Sequence, residues 1–137
     1  MRYLLNTHTF LWLVSKPGRI PGSTLDLLGG RSHELLVSAV SAFELWTKYR
    51  LGKLPEAQRA LLTYGDLVAR LGAVELPISR HPGLVAGELA WDHRDPFDRL
   101  LAAQGLTESL TLVSADPAFA TLGGLQTVWG SQEPVGR

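Results

Sequence analysis

The sequence predicts an α/β fold in which a central parallel sheet of about five short strands carries helices on both faces. Two observations predict it. Strand-like and helix-like segments alternate along the whole chain, and the stretches Leu35-Leu36-Val37 and Leu110-Thr111-Leu112-Val113 are nearly continuous apolar runs. Strands covered on both faces read that way, whereas strands with one wet face alternate apolar and polar residues.

Taken in order, residues 2–5 form a short apolar run that ends at Asn6, with Thr7 as a cap before Phe10-Leu11-Trp12-Leu13-Val14. Lys16-Pro17-Gly18 then stops the helix. Its apolar residues run all the way round, so the helix is either buried completely or offers a second face to a partner. A short helix over residues 24–28 ends at Gly29-Gly30, and Leu35-Leu36-Val37 is the second strand. Ser41-Ala42-Phe43-Glu44 matches a capping box, with Ser41 at the cap and Glu44 at the third helical position, opening a helix that runs to about residue 51. Lys48, Arg50 and Lys53 cluster just beyond it. Residues 56–71 have helical composition, with Tyr64, Leu67, Val68 and Leu71 at i, i+3, i+4 and i+7, and Gly72 supplies the stop.

Ala73-Val74-Glu75-Leu76 is the third strand, closed by Pro77, and residues 82–91 form a short helix. Asp95-Pro96 then reads as an N-cap with proline at the first helical position. That places Asp98 third in the helix, on the same side as Leu101, Ala102 and Gly105, so its carboxylate points toward the protein. An inward carboxylate needs a partner, either the cap or a cation. Leu110-Thr111-Leu112-Val113 is the fourth strand, with Asp116 just past its carboxyl end. Gln126-Thr127-Val128-Trp129 is an edge strand, and residues 131–137 are a polar tail.

Asn6, Glu44 and Asp116 thus follow the ends of predicted strands, where ligands of open α/β sheets gather, and Asp98 can join them from a helix start. A cap or turn explains each residue separately. It does not explain why all of them converge on one sheet edge.

Composition narrows the chemistry. With 137 residues the chain fits one core, and with no cysteine it has neither disulfides nor thiolate metal sites. A reducing, cytoplasmic setting is expected, with no membrane association, because no signal-peptide pattern or bilayer-length apolar run is present. Thirteen basic and thirteen acidic residues cancel. Nucleic acid held by bulk attraction would call for a basic protein, so any such contact must be local and helped by metal ions. His8, His33, His81 and His93 lack paired zinc spacing and take no metal role in this reading. A receiver-like signalling domain also groups acids at strand ends, but it needs a lysine after a late strand, and Lys53 is the last lysine.

Several stretches together resemble the PIN-domain ribonucleases, specifically VapC toxins of type II toxin–antitoxin systems. They are Tyr3-Leu4-Leu5-Asn6-Thr7-His8, Ser38-Ala39-Val40-Ser41 with Glu44, His93-Arg94-Asp95-Pro96-Phe97-Asp98-Arg99, Leu112-Val113-Ser114-Ala115-Asp116 and Val128-Trp129. The resemblance implies a single PIN domain over residues 1–130 and an acidic metal site at position 6, Glu44, Asp98 and Asp116, with Asp95 as cap and auxiliary. It implies Mg²⁺ or Mn²⁺ as cofactor, RNA as substrate, a VapB-type antitoxin partner and a homodimer. Arg94, Arg99 and the Lys48 group are assigned to phosphates, and the apolar excess at Phe10 to Val14 and at Phe43, Leu45 and Trp46 to partner contact.

One position departs from the family. Where its members carry aspartate, this chain has Asn6. An amide oxygen coordinates weakly, and two unit charges about 4 Å apart are worth about 4 kcal/mol at an effective dielectric near 20. The expectation is therefore a ribonuclease weakened or inactivated at Asn6, or a PIN module that only binds RNA or protein.

Overall fold

The computed structural model describes residues 1–130; the expected polar tail lies outside them. Five strands, β1 (Arg2–Leu5), β2 (Glu34–Ser38), β3 (Val74–Leu76), β4 (Thr111–Val113) and β5 (Thr127–Val128), form one sheet in the order β3-β2-β1-β4-β5. Every pairing is parallel. Helices α1 (Thr7–Ser15), α2 (Gly22–Leu28), α3 (Ala39–Arg50), α4 (Gln58–Leu62), α5 (Tyr64–Arg70), α6 (Arg80–Glu88) and α7 (Pro96–Thr107) connect them. The expected α/β fold and its parallel sheet are therefore present, with β5 at an edge.

The two-residue period of a strand divides the sheet's side chains between two cores. Tyr3, Leu5, Leu35, Val37 and Val113 pack with Phe10, Leu11, Leu45 and Val68 on one side. Leu4, Leu36, Leu76 and Leu112 pack with Leu101, Ala102 and Phe119 on the other. Burial on both faces is what made the strands read as unbroken apolar runs. Among the described residues no helix is long and apolar enough to cross a membrane.

Chain direction fixes where a ligand can sit. The first strands step outward from β1 through β2 to β3, and the chain then returns to lay β4 against the other side of β1. The crevice beyond the carboxyl ends of β1 and β4 is thus the topological switch point.

Four local expectations need correction. Asn6, not Thr7, caps α1, because its side-chain oxygen accepts the Thr7 N–H at 2.7 Å. Ser38, not Ser41, caps α3: β2 feeds the helix without a loop, so the first hydroxyl past the buried run accepts the Val40 N–H at 3.0 Å. The predicted helix over residues 56–71 is a 3-10 turn at Pro55–Ala57 followed by α4 and α5, broken at Thr63. There the Thr63 hydroxyl donates to the Arg59 carbonyl at 3.0 Å, competing with the helical ladder. The helix predicted over residues 82–91 ends at Glu88, because the Arg99 side chain takes the Ala86 and Leu89 carbonyls. Gly72, at φ +66°, does adopt the left-handed turn expected of a helix stop.

Candidate functional site

At the switch point Asn6, Glu44, Asp98 and Asp116 line one cleft of about 530 Å³, together with Asp95 and Lys48. Asn6 is buried at the end of β1, and both ends of its amide are used. Its oxygen caps α1, so its nitrogen faces Ser114 beyond β4 and donates to that hydroxyl at 2.8 Å. Ser114 Oγ also accepts the Asp116 N–H at 3.0 Å, which ties the two strand ends together.

Glu44 lies in the second turn of α3 and is only 2% exposed. Because Ser38 is the cap, Glu44 has no capping duty. Its Oε2 pairs with Lys48 one turn later, while its buried Oε1 has no hydrogen-bond partner. Burial works against the Lys48 ammonium, but the hydrogen bond and charge of Glu44 outweigh it and hold the lysine pKa above its ordinary value.

Asp98 sits at the third position of α7, as the spacing predicted, but it does not close a capping box. Asp95 alone caps the helix, accepting from the N–H groups of Phe97 at 2.8 Å and Asp98 at 3.2 Å. The Asp98 carboxylate instead meets His93 Nε2 at 2.7 Å. Burial pushes its pKa up to about 6, helped by the Asp95 and Glu44 carboxylates and opposed by His93. Asp116 is exposed and caps a 3-10 turn, Pro117–Thr121, through the Ala118 N–H at 2.9 Å. Its turn role and its place in the cleft coexist. Glu44 thus pairs through one oxygen with Lys48, Asp98 with His93, and Asp95 and Asp116 with backbone N–H groups, and among the described residues no three Asp, Glu or His side chains are already gathered as a ligand cluster.

The PIN domain family model matches residues 3–125. The chain belongs to the PIN domain family. Its fold is similar to that of VapBC2 from Rickettsia felis bound to a DNA fragment from their promoter, with a TM-score of 0.71 at 20% identity over 94% of this chain and 99% of that one. DNA-bound VapBC from Salmonella typhimurium gives 0.69 at 17% identity, covering 93% of this chain and 97% of that one. VapBC-1 from nontypeable Haemophilus influenzae gives 0.66 at 20%, with the same coverage of 93% and 97%. At such identities the likeness is one of fold. No curated protein sequence matches significantly.

Within this PIN domain Arg99 corrects an expectation. Its guanidinium does not face phosphates. It donates to four carbonyls, those of Ala86 at 2.9 Å, Leu89 at 2.8 Å, Trp91 at 2.8 Å and His93 at 3.0 Å. That clamp folds the loop before α7 back over the helix start, and so carries His93 to Asp98. Arg94 is exposed and is not part of the cleft lining. Arg99→Ala should cost about 3 kcal/mol, and Arg99→Lys should recover less than half, since an ammonium cannot fork to four acceptors. Urea denaturation of the two variants measures this.

His93 and His8 line the cleft although the sequence reading gave the histidines no role there. His8 had a legible signal, since it stands four residues before Trp12 on α1 and shares its face. Burial, then the Lys48 charge, lower its pKa, while Glu44, Glu56 and Asp116 act the other way. Of the apolar residues assigned to partner contact, Phe10, Leu11 and Leu45 are core, whereas Phe43 is 65% and Trp46 48% exposed.

The raised Asp98 pKa predicts a pH dependence. The folded state binds this proton more tightly than the unfolded chain, so the contribution of Asp98 to stability is greatest below pH 3.8 and falls as the pH rises toward about 6. Asp98→Asn removes that loss. It should therefore stabilise the metal-free protein by roughly 1–2 kcal/mol at pH 8 and leave it unchanged near pH 3.5. Urea melts at the two pH values in chelator distinguish this from a uniform effect.

Proposed function

We propose that this PIN domain, spanning residues 1–130, is a VapC-type endoribonuclease, the toxin half of a toxin–antitoxin pair, slowed at its active site by Asn6. The observation that carries the reading is the shared cleft of Asn6, Glu44, Asp98 and Asp116 at the switch point. The donor set fits a hard cation: it is all oxygen, and it includes the buried, unpartnered Glu44 Oε1. Glu44, Asp98 and Asp116 would hold Mg²⁺ or Mn²⁺, with the Asn6 amide as a weak fourth donor.

When bound, such an ion polarises the phosphoryl oxygen and makes water nucleophilic at neutral pH. The chain's own groups do the rest. Lys48 neutralises Glu44 and lessens the cleft's repulsion of a polyanion. His93 holds the Asp98 carboxylate in place, and Asp95 fixes the helix start from which Asp98 projects. The VapBC relatives support a VapB-type antitoxin as partner, and the exposed Phe43 and Trp46 on α3 are where antitoxin or a second copy would make apolar contact.

The test compares Asn6→Asp with Asn6→Asp/Asp98→Asn on structured RNA in Mg²⁺ or Mn²⁺. Cleavage by the first and not the second supports the reading; silence of the first under all conditions defeats it. A second reading, a PIN module that binds without cutting, is favoured by Asn6 itself, whose amide is satisfied at both ends. Metal-dependent RNA binding without cleavage by Asn6→Asp would select it.

A further inference from the structure

Beside the acidic cleft lies a smaller hollow of about 210 Å³, and His8 and Trp12 line both. Trp12 is half-buried at the junction, with the His8 ring 5.9 Å away on one side and the Trp129 ring 6.0 Å away on another. Beyond it, the exposed Lys16 and Arg19 line the smaller hollow, and the Arg19 guanidinium lies 5.9 Å from the centroid of the Trp12 ring. Among the described residues Arg19 has no side-chain hydrogen bond or ion pair, so it is free to move off that ring. Glu56 also lines this hollow and offers the acceptor that an exocyclic base amine requires.

An aromatic ring with one cation over it and a second lining the same hollow suits a nucleotide: the ring takes the base by stacking, and the cations take its phosphate. We propose that Trp12 is the stacking platform for an unpaired RNA base next to the scissile phosphate, with Lys16 and Arg19 on the adjoining backbone. The inference rests on the nuclease reading and deepens it. It makes the substrate single-stranded at the cut site, because a base inside a duplex cannot offer its face to Trp12. The charge suits a phosphate backbone: Lys16 and Arg19 outnumber Glu56 in this hollow, whereas the adjoining cleft sets Glu44, Asp95, Asp98 and Asp116 against Lys48, and the stacking ring between them suits a base better than a protein side chain.

Fluorescence anisotropy with a short labelled RNA, as a single strand and as a duplex of the same sequence, tests this on the present chain in Mg²⁺. Trp12→Leu should weaken single-strand binding about tenfold and Trp12→Phe should recover most of it. Lys16→Ala/Arg19→Ala should lower affinity and flatten its salt dependence. Melting temperatures guard against misfolding, and the Phe variant preserves the bulk if Leu does not fold. Unchanged single-strand affinity in Trp12→Leu, Phe performing no better than Leu, or equal binding of duplex overturns the platform and leaves the hollow to a protein partner. Cleavage by Asn6→Asp with a KM indifferent to Trp12→Leu would sink the platform alone, whereas Trp12-dependent binding without cleavage would sink the nuclease reading alone.

Discussion

Asn6→Asp is expected to raise Mg²⁺-dependent RNA cleavage by up to roughly three decades, the rate equivalent of about 4 kcal/mol for one added charge near a bound cation. The structure explains why the change should be tolerated. Ser114 Oγ accepts from both the Asn6 amide and the Asp116 N–H, and its own proton has no acceptor among the described residues. A carboxylate at position 6 can therefore still accept the Thr7 N–H that caps α1, while the Ser114 hydroxyl turns to donate instead of accept. What changes is the charge. The new carboxylate joins Glu44, Asp98 and Asp116 in one cleft, so Asn6→Asp should melt lower than the present protein in chelator. It should recover with metal, since an ion at a hundredfold excess over its Kd adds about 2.7 kcal/mol. Equal melting temperatures with and without Mn²⁺ in both proteins would contradict a shared ion site, whatever the cleavage assay reads.

The sheet was legible because burial on both faces leaves long apolar runs, and its direction followed from the alternation of strands with helices. The position of Asp98 was legible too, because Asp95-Pro96 fixes the helix register within one residue. Other features depend on contacts that spacing does not encode. The pattern Ser41 to Glu44 satisfies a capping box, yet Ser38 starts the helix three residues earlier and leaves Glu44 free to face the cleft. His93 is carried to Asp98 by Arg99, which the sequence resemblance assigns to phosphate but which gathers the carbonyls of Ala86, Leu89, Trp91 and His93 before α7. The break at Thr63 turns on a single side-chain hydroxyl in a segment whose composition is helical throughout.

Lys48→Met is expected to destabilise the metal-free protein by about 2 kcal/mol, less than the cost of orphaning a fully buried ion pair because the Lys48 side chain is partly exposed while Glu44 is not. Glu44 is 2% exposed, and Lys48 is the one hydrogen-bond donor to its carboxylate among the described residues. Without the ammonium a buried carboxylate has no donor at all, whereas Glu44→Gln/Lys48→Met removes the orphaned charge and should regain most of the loss. A double-mutant cycle by urea denaturation measures that coupling, and simple additivity would mean that the pair contributes little in solution. The same substitution should tighten Mn²⁺ binding, because the lysine occupies the carboxylate that the ion requires and must give way to it. The two effects have opposite signs. A surface salt bridge of no functional consequence would give neither, and a purely structural one would give only the first.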